Sequence, residues 1–284
     1  MPGCLSINSL RFDAAGPSTV TVGAAEMLRI ASGGMLQTSN VTTGVSTITG
    51  GTLASGTGEL IFTTDGTQRF DVSSSITATT AITKSGDGTL RLSGVNTGSG
   101  TLTLQLGTVE LTGGSALGDT AGVTFLEKGG SPTLSLLAGQ TETIGSLSGG
   151  GTGNSTSTVA LGAGSTLTIN QTTAALTYGG FFTGAAGTTL IKSGSQTLTY
   201  AANGGAGFVG DLMVNQGILL FNGNVTQFTA AQNRITINGS TSSLQINQDN
   251  TAGINRVTNT TPVTLNNTAG GLGFYVTRNG GSTA

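Results

Sequence analysis

The chain has 284 residues, with 10 basic against 12 acidic side chains and a net charge of −2. Its 49 Gly, 52 Thr and 27 Ser make up 45% of it, while charged residues are 8%, aromatics 5%, and Trp and His are absent. This composition excludes a helical protein, because Gly costs backbone entropy in a helix and Thr loses rotamer freedom there. Collagen is excluded as well, since Gly does not recur every third residue and there are only 4 Pro. A chain that is 36% hydrophobic is not ordinary disorder. Ten scattered cations do not make the basic face that nucleic acid requires, so no nucleic-acid partner is expected.

Along the chain, short runs alternate apolar residues with Thr or Ser and are broken by Gly. In order they are Ser18–Val22, Thr89–Ser93, Thr101–Gln105, Ser165–Asn170, Arg234–Asn238, Ser243–Asn247 and Pro262–Asn266. A period of two places every second side chain on one face, the pattern of a half-buried strand. Gly113-Gly114, Gly149–Gly151, Gly204-Gly205 and Asn279–Ser282 mark turns. Ser115–Gly118 is the one short piece that could make a helical turn. No segment approaches 18 consecutive apolar residues, so no transmembrane helix is expected. The first 30 residues lack a basic start followed by a long apolar run and do not read as a secretion signal. The single cysteine, Cys4, forms no intrachain disulfide; it is expected to be a partly buried small side chain, with interchain pairing as the alternative.

A longer self-similarity overlies the strands. Thr83–Leu92 aligns with Ile191–Tyr200, 108 residues later, and Leu106–Leu111 aligns with Gln216–Phe221 at an offset of 110. Apolar positions stay in register: Leu90 with Leu198, Leu92 with Tyr200, Val109 with Leu219, Leu111 with Phe221. The chain therefore reads as one elongated unit over 1–284, with repeat modules near 82–126 and 190–238 and a further unit starting near 263.

The segment Ile82–Thr97 resembles the autotransporter-associated β-strand repeat of bacterial passenger regions. It carries Lys84-x-Gly86-x-Gly88-Thr-Leu-x-Leu92-x-Gly94-x-Asn96-Thr97, and the Gly-Thr-Leu-x-Leu strand that follows in the pattern is Gly107-Thr-Val-Glu-Leu111 here. The copy at Lys192 departs from it, with Gln196 at the second Gly and Asn203 displaced by one. The resemblance implies an all-β, right-handed parallel β-helix that is secreted or displayed on a bacterial surface, and it carries over no catalytic residue. At about 20–25 residues per rung the chain would form about 12 rungs in a rod about 55 Å long. Strand-like sequence at Leu5–Phe12 and Gly273–Thr277 further suggests end-to-end stacking on another copy or on further β-helical chain.

No residue stands out as catalytic, cofactor-binding or metal-binding, and no cofactor is expected. The twelve acids, Asp13, Glu26, Glu59, Asp65, Asp71, Asp87, Glu110, Asp119, Glu127, Glu142, Asp211 and Asp249, include no adjacent pair and read as solvated charges at turns. The closest, Glu59 with Asp65 and Asp65 with Asp71, are six apart, with a turn expected at Gly66. Without His, Ser–His catalysis is impossible and the commonest general base is missing. Gly86-Asp-Gly88 is one short echo of a calcium repeat and does not recur at Gly194-Ser195. Lys84 and Lys192, equivalent between modules, read as solvated lysines at strand ends. With only Tyr178, Tyr200 and Tyr275 available, a stacked sugar platform is poorly supplied; in Phe181-Phe182, alternation turns one ring inward and one outward. The expectation is a structural or adhesive extracellular rod and not an enzyme. A polysaccharide-cleaving β-helix and an adhesin that binds host or cell-surface glycans are the alternatives.

Overall fold

The computed structural model describes residues 3–77, 79–151, 157–202, 208–222, 234–248, 257, 260–266 and 273–278. It is a parallel β-solenoid, all strand, with no helix among the described residues. A spine sheet of twelve strands runs from Leu10–Phe12 to Phe274–Arg278. A flank sheet of eight strands runs from Ser18–Thr21 to Phe181–Gly184. The remaining side is split. An opening sheet of four strands ends at Ser75–Ile76, and a closing sheet of six begins at Thr141–Ile144 and ends at Val263–Asn266. Twelve stacked strands span about 53 Å at the usual interstrand spacing.

Each strand pairs with the one a full circuit away in the chain. That circuit ranges from 19 residues (Leu90 opposite Val109) to 30 (Leu244 opposite Phe274). Like side chains therefore stack into columns. On the flank sheet Phe70, Leu90, Val109, Leu134, Val159 and Phe182 follow one another inward, all buried. On the spine sheet Leu60, Ile82, Leu102, Val123 and Leu147 do the same. Each such side chain contributes about 1.5–3 kcal/mol by leaving water. The outward positions belong to β-branched residues, as in the half-exposed column Thr89, Thr108, Thr133, Thr158.

All seven alternating segments fall on strands. Leu5–Phe12 is two strands, Cys4–Ile7 and Leu10–Phe12, divided by a corner, and the Gly273–Thr277 segment carries the strand Phe274–Arg278. Gly113, Gly114 and Gly149–Gly151 have positive φ, as turns there require. Ser115–Gly118 is not a helical turn; it is an irregular passage that buries Ala116 and Leu117. Gly204-Gly205 and Asn279–Ser282 lie outside the described residues.

The two repeat modules sit on different sides of the solenoid. In the first, Ala81–Ser85 and Leu102–Leu104 lie in the spine sheet, and Thr89–Leu92 and Thr108–Leu111 in the flank sheet. In the second, Thr189–Ser193 and Asp211–Val214 lie in the closing sheet, and Leu198–Tyr200 and Gly217–Phe221 in the spine sheet. The module thus specifies a corner and its two flanking strands, independent of the side of the rod on which that corner falls.

The corner admits no Cβ at Gly107. Its φ is 70°, and a Cβ built there would lie 2.4 Å from the carbonyl oxygens of Gly86 and of Gly88. Gly217, its counterpart, has φ 67° and would meet Gly194 O at 2.5 Å. Gly129 has φ 81° but open space around it. Gly107→Ala is expected to destabilise the chain by about 3 kcal/mol or more, and Gly129→Ala by only about 1 kcal/mol, the cost of the left-handed conformation alone. Urea-unfolding midpoints of the two variants check this, and equal losses would refute the close-contact argument.

Candidate functional site

Polar side chains inside the rod, rather than on it, form its most distinctive chemistry. Strand parity turns Lys84 inward beside Ile82, into the column between Phe62 and Leu104. It turns Lys192 inward beside Leu190, between Ile169 and Val214. Both are buried, which corrects the reading of them as solvated strand-end lysines. The alternation extends through the lysine, so the ammonium arrives beneath the corner instead of in water.

There each Nζ donates to three backbone carbonyls. Lys84 reaches Ser85 O at 2.8 Å, Gly86 O at 2.6 Å and Leu106 O at 3.2 Å. Lys192 reaches Ser193 O at 2.7 Å, Gly194 O at 2.8 Å and Gln216 O at 2.9 Å. Two acceptors come from the lysine's own corner and the third from the corner of the next circuit. Each lysine therefore ties two successive turns together where the strand ladder is interrupted. The three donors of an ammonium match three acceptors in number. Burial lowers both lysines from 10.5 to about 8; for Lys84 the charges of Asp65 and Asp87 push back upward.

A second internal group bridges the opening and closing sheets. Asn96, buried, accepts from Ile76 N at 2.6 Å and donates to Ala116 O at 2.8 Å. Glu142, 1% exposed, accepts from Ala116 N at 3.0 Å and from Leu117 N at 3.2 Å. Its burial raises the carboxyl from 4.5 to about 7, opposed by those two N–H bonds and reinforced by Asp119. Glu142 thus departs from the reading of the acids as solvated turn charges. One circuit on, buried Gln171 accepts from Leu147 N at 3.3 Å and donates to Ala174 O at 2.6 Å.

The other acids are dispersed. Asp71 pairs with Arg69 and Glu110 with Arg91 on the outer flank sheet. Asp13 pairs with Arg11 and Asp211 with Arg234. Such exposed or half-exposed pairs are worth about 0–1 kcal/mol each. Glu59 accepts from the Thr83 hydroxyl, and Glu127 accepts from Gly151 N and Ser157 N. Gly66, with φ 92°, separates Asp65 from Asp71 as expected. Asp249 lies outside the described residues. Among the described residues no three of His, Cys, Asp and Glu gather as a metal site would require, and Asp87 is exposed at its turn.

The aromatic residues mostly build core. Tyr178 is buried with its ring 5.4 Å from Phe125, 5.1 Å from Phe182 and stacked 6.2 Å from Tyr200. Its hydroxyl donates to Phe181 O at 3.0 Å. Phe182 is the inward ring and Phe181 the half-exposed one. Cys4 is exposed, contrary to the partly buried side chain expected; its strand, Cys4–Ile7, is the edge strand of the opening sheet. An open cavity of about 300 Å³ beside it is lined by Leu5, Val20, Met27 and Leu28.

Burial makes the lysines separable by chemistry. The chain has three, Lys84, Lys128 and Lys192, and Lys128 is exposed. Acylation of the folded chain at pH 8 is expected to modify Lys128 and spare the other two, all three reacting once the chain is unfolded; peptide mass spectrometry reads the pattern. Lys84→Met should cost about 2–4 kcal/mol by leaving three carbonyls without their donor. Between pH 8 and 10.5 the unfolded chain binds more protons at these sites than the folded one, so stability rises with pH over that window. A double Lys84→Met, Lys192→Met variant should lose that rise in pH-dependent urea unfolding.

No protein-family model, no curated protein and no solved structure matches the chain.

Proposed function

We propose that the chain is a segment of an extracellular bacterial β-helical rod with a structural or adhesive role, extended end to end by a second copy or by further β-helical chain. The observation that carries this reading is at the last described turn. Leu265 continues the inward closing column of Val214 and Ile237, and Val276 continues the inward spine column of Phe221 and Ile246. Leu265 is 54% exposed and Val276 53%, against full burial of their predecessors. Phe274, in column with Leu219 and Leu244, is 37% exposed. These inward side chains are exposed at the last described turn, where one more turn would cover them. The chain direction is the same in every turn, and a covering turn that continues this parallel ladder makes the contact heterologous and non-closing.

The likeness of Ile82–Thr97 and Gly107–Leu111 to the autotransporter-associated repeat supports a surface location. The lysine and glycines that carry that likeness are the residues that staple the corner, so the shared motif has a structural meaning. A rod built this way acts passively, by spacing and display.

Sedimentation and negative-stain electron microscopy of the purified chain test the proposal. Concentration-dependent rods are expected, with Val276→Lys shifting the distribution toward monomers. A monomer that persists at high concentration would overturn the self-stacking form. Cell fractionation checks the location: the native protein should be found at the surface or in the medium, and recovery solely from cytosol would contradict it.

A further inference from the structure

The closing sheet carries a ladder of asparagines on its outward face. Asn238 Nδ2 donates to Asn215 Oδ1 at 2.8 Å, and Asn266 Nδ2 donates to Asn238 Oδ1 at 3.0 Å, one rung per circuit. Each asparagine gives its N–H to the turn before and offers its oxygen to the turn after. The ladder therefore has a direction, and at the last described turn it ends on the exposed Asn266 with Oδ1 as the group on offer. The inward Val263 and Leu265 of that turn are exposed too. The first turn, at the other end of the rod, has the complementary pattern. Leu5 and Ile7 are the inward residues of Cys4–Ile7, opposite Leu28 and Ile30, and Asn8 follows them on the outward side, exposed. Leu5 borders the open apolar cavity of about 300 Å³. The opening and closing sheets occupy the same side of the rod: a spine strand follows each of their strands, and two irregular crossings, 94–100 and 114–121, lie between them.

Resting on the end-to-end reading above, we infer that the partner is a second copy of this chain, its segment Cys4–Asn8 laid parallel on Val263–Asn266 so that Asn8 becomes the next rung of the ladder. One register satisfies both patterns. Asn8 beside Asn266 sets Leu5 on Val263, Ser6 on Thr264 and Ile7 on Leu265, apolar on apolar inside and polar on polar outside. A slip of one residue turns Ser6 and Asn8 into the core. A slip of two keeps the faces but leaves Asn266 opposite no asparagine. In the matching register Asn8 Nδ2 donates to Asn266 Oδ1, the direction of the two rungs before it. On the spine side Leu10 and Phe12 repeat the spacing of the inward Phe274 and Val276, so both strands of the last turn are covered together. Neither Cys4–Asn8 nor Val263–Asn266 contains Asp, Glu, Lys or Arg, so no charge opposes the joint.

Cross-linking through the native Cys4 reads the register. In the stated one Cys4 lies opposite Pro262, at the interstrand spacing of about 4.8 Å and within disulfide reach, and about 8 Å from Thr264, beyond it. Pro262 and Thr264 are both exposed. Oxidised with diamide, Pro262→Cys should form disulfide-linked chains longer than dimers, because each copy then has a thiol at either end. Thr264→Cys should link about tenfold less. Asn8→Asp removes the donor and sets a carboxylate against Asn266 Oδ1, so it should raise the concentration at which rods form by on the order of 10-fold. Rods that link more readily through Thr264→Cys, or through neither position, would overturn this register and leave the end-to-end reading standing. So would an Asn8→Asp variant that assembles like the parent. A parent chain that stays monomeric at high concentration would overturn self-stacking and the register with it.

Discussion

Everything in this molecule follows from one constraint: the backbone of each strand finds its ladder partners in the turns before and after it. Unpaired buried N–H and C=O groups are costly, so every circuit must return in register with the last. Register in turn fixes which residues face inward, because a slip of one reverses every side chain. The strands meet this demand automatically. The corners and the gap between the opening and closing sheets do not, and the longest buried polar side chains serve those places. Lys84, Asn96, Glu142, Gln171 and Lys192 all supply donors or acceptors to backbone that no strand partner serves.

This explains how the repeat can appear on two sides of the rod. A module tied to a sheet would have to recur on the same sheet. A module that encodes a lysine-stapled corner needs only two strands that diverge at the right angle, and the solenoid offers such a corner on more than one edge. The offset of 108 before the intervening loop and 110 after it is tolerated for the same reason, since the extra residues fall between strands of consecutive circuits. Both lysines still find a third acceptor on the neighbouring turn, Leu106 O in one case and Gln216 O in the other.

Strands were legible in the sequence because period two needs no tertiary information. The alternation at Thr89–Ser93 or Arg234–Asn238 is visible in five residues. The internal polar groups were legible too, but only by trusting parity over chemistry. Ile82-x-Lys84, Leu190-x-Lys192 and Glu142-x-Ile144 each pair a charged residue with an apolar one two positions away, which puts both inside. General preference assigns charges to water, and that preference was the wrong guide here. Asn96 was visible only as part of a motif, since its role depends on Ile76 and Ala116, each 20 residues distant. The splitting of one side into two sheets had no sequence signal, because it results from what two irregular crossings fail to form.

The choice of lysine at the corner also has a physical reason. The acceptors converge from two turns onto one point, and a compact ammonium at the end of a flexible stem can reach all three from a single column position. An arginine fork carries five donors in a plane. With three carbonyls available, at least two of its N–H groups would stay buried and unsatisfied, and the planar head would press on Phe62 and Leu104, between which Lys84 stands. A methionine would fill the column but abandon the carbonyls. Lysine alone combines an apolar stem of the length the column needs with a head of the valence the corner needs. The same combination is met at Lys192 between Ile169 and Val214, on a different side of the rod, so it is set by corner geometry and not by the sheet.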